Sequence, residues 1–150
     1  MPSSDGVIDA EALAAMLPHR YPFLLVDRIL VLAPGRRAIG SKRVSAGEWW
    51  CDPANGALAA MPFSLVIEAL AQTTCALLQD GVDGARGAIA YFAAADRVRL
   101  RRPARPGDHL QLAVTLCSWR RSVCRTEGVA TVDGQLVASA TLTTMLRTSA

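Results

Sequence analysis

The longest apolar pattern in the chain predicts one central helix. From Pro62 to Gln79, apolar side chains cover nearly every side of the predicted helix, and a proline is favourable at a first helical position. A helix that is apolar all round belongs in the interior of a domain. Other elements of the chain must therefore surround it.

The rest of the chain predicts β-strands that can form this surround. Runs of alternating or β-branched apolar residues are bounded by turn residues, and the predicted strands are 23–32, 38–44, 88–94, 97–100, 109–119, 122–132 and 135–146. Asp133-Gly134 joins the last two strands as a hairpin. A short helix, 10–17, precedes them with Asp9 as its cap. The pattern predicts an α+β fold in which one antiparallel sheet curves around one long helix.

Length and composition restrict the class of protein. The 150 residues, of which 51% are hydrophobic, suit one domain, predicted over 10–150 after a flexible tail at 1–9. No apolar run of about 18 residues is free of charge or proline, so no membrane span is expected. The first residues lack the pattern of a signal peptide, and this predicts a cytoplasmic protein.

Motifs for cofactors are not evident in the sequence. The four cysteines form no C-x-x-C pair, and the two histidines, His19 and His109, lie far apart in the sequence. Phosphate-binding and dinucleotide-binding glycine motifs are also lacking. We expect neither a metal nor another cofactor. Few aromatic residues accompany the arginines, which argues against nucleic acid as a partner.

Glu68 is the most informative single residue because it interrupts the apolar helix. Gln72 follows four residues later and shares its face. An ionised carboxylate at such a position is costly unless it has a partner, and perturbed carboxylates cluster at functional sites. A structural hydrogen bond is the alternative. At the helix start, the amides of Phe63 and Ser64 could polarise a carbonyl oxygen, or water could simply cap them.

Three segments together resemble a known family. They are LPHRYPFLLVDR at 17–28, Pro62 followed by EALAQ at 68–72, and YFA at 91–93 through RPARPGD at 102–108. They are similar to segments of the (3R)-hydroxyacyl-ACP dehydratases of the FabZ type, where ACP is acyl carrier protein. The resemblance extends over roughly residues 10 to 146. It implies the hot-dog fold, a curved sheet around one long helix, with two subunits paired edge to edge.

The resemblance also implies a chemistry on acyl thioesters carried by ACP. In the family a histidine takes the proton next to the carbonyl, and a helix glutamate protonates the departing hydroxyl. The two groups come from different subunits, and the family motif is G-H-F-P-G-x-P-x-x-P-G followed by E-A-x-A-Q. Residues 44–72 align with it without a gap, which places Glu68 on the glutamate, Pro62 on the last proline and Ala54 on the histidine. Phe63 replaces the glycine at the helix start.

The replacement at Ala54 changes what the chain can do. A methyl group cannot accept a proton, and loss of a positioned base lowers a rate about 100- to 10,000-fold. Ordinary family members also carry His19, so we interpret it as structural, and His109 as a solvated residue at a strand start. Asp52 and Cys51 could reach the cleft if the loop is reshaped. The residues predicted to line the substrate site are Met61, Phe63, Ser64, Gln72 and Ala54.

A run of arginines predicts a second surface. Alternation at Arg97, Arg99 and Arg101 would place three cations on one face of a strand, and Arg102 follows directly. The resemblance implies an acidic carrier protein, and these residues are the predicted carrier-protein contacts. A solvated strand face is the alternative interpretation.

Three functions stay open from the sequence. The first is half of a dehydratase site that acts on acyl-ACP or acyl-CoA, in a homodimer or in a heterodimer with a histidine-bearing homologue. The second is a thioesterase in which Glu68 acts on water and helix-start amides polarise the carbonyl. The third is a protein that binds an acyl chain or a partner without chemistry.

Overall fold

The computed structural model describes residues 6–52, 54 and 58–147. Its helices are α1 (Ala10–Met16) and α2 (Phe63–Gly81). Its strands are β1 (Val7–Ile8), β2 (Arg28–Ala33), β3 (Arg37–Arg43), β4 (Ile89–Leu100), β5 (His109–Arg120), β6 (Val123–Val132) and β7 (Gln135–Arg147). In the described part of the chain the strands form one sheet in the order β1-β2-β3-β5-β6-β7-β4, with antiparallel neighbours. The predicted α+β arrangement with one long helix is confirmed.

Two glycines in the sheet allow α2 to pack closely against the strands. The helix packs across β3, β5, β6 and β7. A Cβ atom added to Gly40 of β3 would collide with Thr73 of the helix, and one added to Gly128 of β6 would lie 3.2 Å from Leu70. These close approaches bury most of the helix circumference, as its nearly continuous apolar pattern predicts.

The N-terminal segment differs from the sequence prediction. A flexible tail was expected through residue 9, but Val7 and Ile8 pair with β2, and Ile8 is fully buried. Residues 1–5 lie outside the described part of the chain. The cap prediction is confirmed, because the Asp9 carboxylate accepts a hydrogen bond from the Ala12 amide at 2.9 Å. The single-domain boundary at 10–150 stays a prediction.

Two strand predictions are corrected. Residues 23–27 are not a strand, because the Leu25 amide bonds to the side chain of Gln72 and not to a neighbouring strand. The runs 88–94 and 97–100 form one strand, β4, whose pairing with β7 shifts register at two places. The hairpin at Asp133-Gly134 is confirmed, with φ of +49° and +76° at its two turn residues.

Strand β4 forms one edge of the sheet and has a largely exposed surface. Several of its large apolar side chains are about half exposed in the single chain; they are Ile89, Tyr91, Phe92, Val98 and Leu100. An edge strand also presents unpaired backbone groups. This edge is therefore a surface on which another strand can pair. None of the helices in the described residues has the length and apolar character needed to cross a membrane.

Candidate functional site

The Glu68 carboxylate is held at one of its two oxygens. Its side chain is 21% exposed. Oε1 accepts a hydrogen bond from Nε2 of Gln72 at 3.0 Å and lies 3.2 Å from Nε2 of His19. Both contacts involve Oε1, and no residue that the structure describes forms a hydrogen bond or an ion pair with Oε2. One oxygen is thus anchored and the other is available to a ligand.

Gln72 fixes this arrangement because it uses both ends of its amide. The residue is fully buried. Its Oε1 accepts from the Leu25 amide at 3.0 Å, and its Nε2 donates to the Phe23 carbonyl at 2.7 Å as well as to Glu68. These partners fix which end of the amide is oxygen and which is nitrogen. Gln72 therefore connects Glu68 to the backbone of the segment that precedes β2.

The same segment brings His19 to the carboxylate. The imidazole is 26% exposed, and its ring stacks on Phe23 with the centroids 6.1 Å apart. Its Nδ1 atom is buried and has no hydrogen-bond partner among the described atoms. Arg20 stiffens the segment by donating from Nη1 to the carbonyls of Leu17 and His19 at 2.8 and 2.7 Å.

From the sequence we interpreted His19 as a structural residue outside the site. In the structure its Nε2 atom lies 3.2 Å from Oε1 of Glu68. No periodicity connects positions 19 and 68, because the contact depends on how the extended segment bounded by Pro18 and Pro22 crosses the helix. The predicted association of Glu68 with Gln72 follows simply from their spacing on one helix face.

The cap residue at the start of α2 is Pro62, and no side chain in the described part of the chain caps the helix there. Ser64 is exposed, and Phe63 is partly buried against the core. Met61 is 2% exposed, and its amide donates to the Ala104 carbonyl at 2.8 Å. In the single chain, Met61 is therefore a core residue and not an exposed lining residue.

The loop before α2 is described only in part. Ala54 is exposed, and its amide donates to Oδ1 of Asp52 at 2.9 Å. Cys51 is buried, and its thiol donates a hydrogen bond to the Ala59 carbonyl at a sulfur–oxygen distance of 3.5 Å. Positions 53 and 55–57 of the aligned motif lie outside the described residues. Nε2 of His109 on β5 lies 2.5 Å from the Ser41 hydroxyl on β3. This contact does not involve Glu68 or its partners.

Two cysteines are kept protonated by their surroundings. Burial, followed by the charge of Glu68 and then that of Cys124, raises the pKa of Cys75 to about 12. Burial, followed by the charge of Cys117, raises the pKa of Cys124 to about 12. Neither thiol is therefore a nucleophile at neutral pH. Within the described ranges, no three side chains of His, Cys, Asp or Glu come together as metal ligands.

The four predicted carrier-protein arginines do not lie together on one face of a strand. A register shift between Asp96 and Arg99 interrupts simple alternation along β4, and Arg97 has a φ of +51°. Arg97 and Arg99 nevertheless line one depression of about 190 Å³, together with residues of β6 and β7. Arg101 lies after the strand end. Arg102 forms an ion pair with Asp108 at 3.0 Å.

Comparisons with known proteins identify the family. Residues 17–141 match the FabA-like domain family. A 3-hydroxyacyl-(acyl-carrier-protein) dehydratase FabZ of Roseiflexus castenholzii is 47% identical over 131 residues, which cover 87% of this chain and 91% of the relative. This chain belongs to the FabZ-type dehydratase family. A FabZ dehydratase of Geobacillus thermodenitrificans is 43% identical over 87% of this chain and 90% of its own length.

Solved structures show the fold of this FabZ-type chain. The dehydratase heterocomplex ApeI:P from Xenorhabdus doucetiae contains a chain with a TM-score of 0.70 at 17% identity, and the match covers 91% of both chains. A hypothetical thioesterase with coenzyme A from Streptococcus pneumoniae has a TM-score of 0.59 at 13% identity, over 79% of this chain and 84% of that one. The hot-dog fold predicted from the resemblance is confirmed.

Proposed function

We propose that this FabZ-type chain takes part in the dehydration of 3-hydroxyacyl thioesters carried by ACP, and that Glu68 supplies the acid. The observation that supports the proposal is the one-sided anchoring of Glu68: Oε1 is held by Gln72, while Oε2 has no described partner. A carboxyl group fixed in this way can present its second oxygen to a substrate hydroxyl.

The chemistry requires two groups. A base removes the proton from C2 of the substrate, and the protonated Glu68 gives its proton to the hydroxyl at C3. The C3–O bond breaks as the C2=C3 double bond forms, and water leaves. Residues 45–67 contain no histidine, so the base of the family motif is missing at the aligned position, Ala54.

We propose that a histidine-bearing homologue supplies the missing base in a heterodimer. Its motif histidine would then face Glu68, and the pair would hold one complete site. The exposed apolar edge at β4 supports pairing with another strand. A fold neighbour is described as part of a dehydratase heterocomplex, so this fold occurs in such an assembly. The cytoplasmic location predicted from the sequence stays a prediction.

The carrier protein is proposed to bind beside the β4 arginines. Arg97 and Arg99 share a depression and are exposed, whereas Arg102 is already paired with Asp108. We therefore assign the contact with acidic ACP mainly to Arg97, Arg99 and Arg101. Opposite surface charges of this kind favour encounter and orientation.

The test follows enoyl product from 3-hydroxyacyl-ACP, with the chain co-purified with a histidine-bearing FabZ-type homologue whose own helix glutamate is changed to glutamine. We expect Glu68→Gln in this chain to lower the rate about 100-fold or more, because the amide cannot donate an acid proton. The matched control is Glu11→Gln in α1, an exposed position, which should leave the rate unchanged. An unchanged rate in Glu68→Gln would contradict the proposal.

Thioester hydrolysis is the second candidate, because the free Oε2 atom can equally activate a water molecule. The same assay distinguishes dehydration from hydrolysis, because hydrolysis releases a free thiol and dehydration forms an enoyl thioester. Hydrolysis by the chain alone that disappears in Glu68→Gln would favour the thioesterase. Acyl binding with neither product would indicate a protein without chemistry.

A further inference from the structure

Two side-chain nitrogens meet at one carboxylate oxygen of Glu68. Nε2 of Gln72 donates to Oε1 at 3.0 Å, and Nε2 of His19 lies 3.2 Å from the same atom, within hydrogen-bonding reach. A carboxylate oxygen has two lone pairs, so two donors occupy it fully. We infer that His19, as the second donor to Oε1, confines the acid proton of Glu68 to Oε2, the oxygen that faces the substrate in the proposed site. This inference rests on the proposed function.

The surroundings of the imidazole indicate which of its nitrogens carries the proton. Nδ1 of His19 is buried, and no described atom forms a hydrogen bond with it, whereas Nε2 has a carboxylate acceptor 3.2 Å away. A buried N–H without an acceptor is costly, so the ring proton belongs at Nε2. A ring protonated at both nitrogens would also leave an unpaired N–H at Nδ1. The neutral ring therefore presents an N–H to Oε1.

The other donor is fixed by the backbone. Oε1 of Gln72 accepts from the Leu25 amide, and its Nε2 also donates to the Phe23 carbonyl, so the amide can present only N–H to Glu68. Neither nitrogen at Oε1 can then accept a proton from the carboxyl group. Among the described residues none forms a hydrogen bond or an ion pair with Oε2. The neutral carboxyl group thus has its proton at Oε2.

This placement determines the path of the proton in the reaction. The Oε2 proton passes to the hydroxyl oxygen at C3, the C3–O bond breaks, and the electron pair of that bond leaves with the water molecule. Oε2 regains a proton from solvent, because the Glu68 side chain is 21% exposed. The base of the paired subunit releases the C2 proton to solvent, so the protons balance. His19 gains and loses no proton, and it is a positioning residue.

The experiment compares two replacements of His19 that differ in hydrogen bonding. In His19→Phe a ring can still stack on Phe23, as the imidazole does with centroids 6.1 Å apart, but no N–H remains. In His19→Gln a side-chain amide can donate to Oε1. Each variant is purified in complex with the histidine-bearing homologue whose own helix glutamate is changed to glutamine. Enoyl product from 3-hydroxyacyl-ACP is then measured.

The two variants should differ in kcat. We expect His19→Phe to lower kcat about 5-fold with KM unchanged, a loss of the size that one hydrogen bond gives, because the proton can then occupy Oε1. His19→Gln should retain most of the native kcat. A native kcat in His19→Phe would overturn the inference. Equal losses in the two variants would also overturn it, because they would show that only the shape of the ring matters.

A measurement without turnover separates this inference from the proposed function. If the native complex forms no enoyl product, the proposed function fails, and nitrogen NMR of the chain still reports the tautomer of His19. The ring signals are assigned by their loss in His19→Gln. At about pH 8, where an ordinary imidazole is neutral, we expect a proton on Nε2 and none on Nδ1. A proton on Nδ1 would overturn the inference by itself.

Discussion

Nε2 of Gln72 lies 3.0 Å from Oε1 of Glu68, and this hydrogen bond connects the carboxylate to a chain segment about fifty residues earlier in the sequence. The same nitrogen donates to the Phe23 carbonyl, and the amide oxygen accepts from Leu25. The orientation of Glu68 thus depends on how residues 17–27 lie against α2. Packing of the fold and geometry of the site are connected at one buried amide.

Replacing this amide should reduce stability as well as activity. In Gln72→Leu the buried Leu25 amide and the Phe23 carbonyl lose their partner, and a buried unsatisfied group costs about 1 to 3 kcal/mol. We expect the free energy of unfolding, measured by urea denaturation, to fall by about 2 kcal/mol. Gln111→Leu, at an exposed position of β5, is the control and should change it little. Equal effects of the two substitutions would contradict the assigned role of Gln72.

The buried thiols predict how stability depends on alkaline pH. In the unfolded chain Cys75 and Cys124 have the ordinary thiol pKa of 9.0, and in the folded chain each is raised to about 12. Between these values the unfolded state loses protons that the folded state keeps. The free energy of unfolding should therefore be fully retained below pH 9 and fall as the pH rises towards 12.

Single substitutions identify the thiols responsible. Cys75→Ala should make the alkaline decrease in unfolding free energy less steep, because one of the two shifted groups is gone. Cys117→Ala, at an exposed cysteine, removes only the smaller cause of the Cys124 shift and should change the slope less than Cys75→Ala does. Thermal unfolding monitored at several pH values from 8 to about 11 measures this. The same slope in native protein and Cys75→Ala would contradict the account.

The arginine surface predicts a difference between two substrates. Reversing the charge in Arg97→Glu or Arg99→Glu should lower kcat/KM for 3-hydroxyacyl-ACP about 10-fold, and the loss should shrink at high salt. The rate with the same acyl group on coenzyme A should change much less, because no acidic protein is then bound. Arg37→Glu on β3, also exposed, is the control. Equal losses with both substrates would contradict a carrier-protein contact.

Local patterns predicted much of the fold. The apolar helix, the Asp9 cap and the Asp133-Gly134 turn depend on neighbouring residues, and each is found. The strand predicted over 23–27 is wrong, because the apolar composition of this run does not reveal that the Gln72 side chain bonds to the Leu25 amide and the Phe23 carbonyl. Within the site, the spacing of Glu68 and Gln72 was sufficient to pair them. The contact with His19 depends on tertiary packing, and no sequence pattern encodes it.

The central claim is that Glu68 supplies the acid, and that a second subunit supplies the base that is missing at Ala54. It can be tested with this chain alone, by combining native subunits with subunits that carry Ala54→His and Glu68→Gln together. In the proposed arrangement, the introduced histidine of one subunit of a mixed dimer would face Glu68 of the other, which would make one complete site.

The decisive measurement is enoyl formation from 3-hydroxyacyl-ACP by the two proteins separately and after co-expression. The account predicts that each protein alone is nearly inactive and that the mixture gains activity about 100-fold or more over either one. The single variant Ala54→His, which carries both groups in every subunit, should be active alone and serves as the positive control. An active Ala54→His protein together with an inactive mixture would contradict a dehydratase site shared between the subunits.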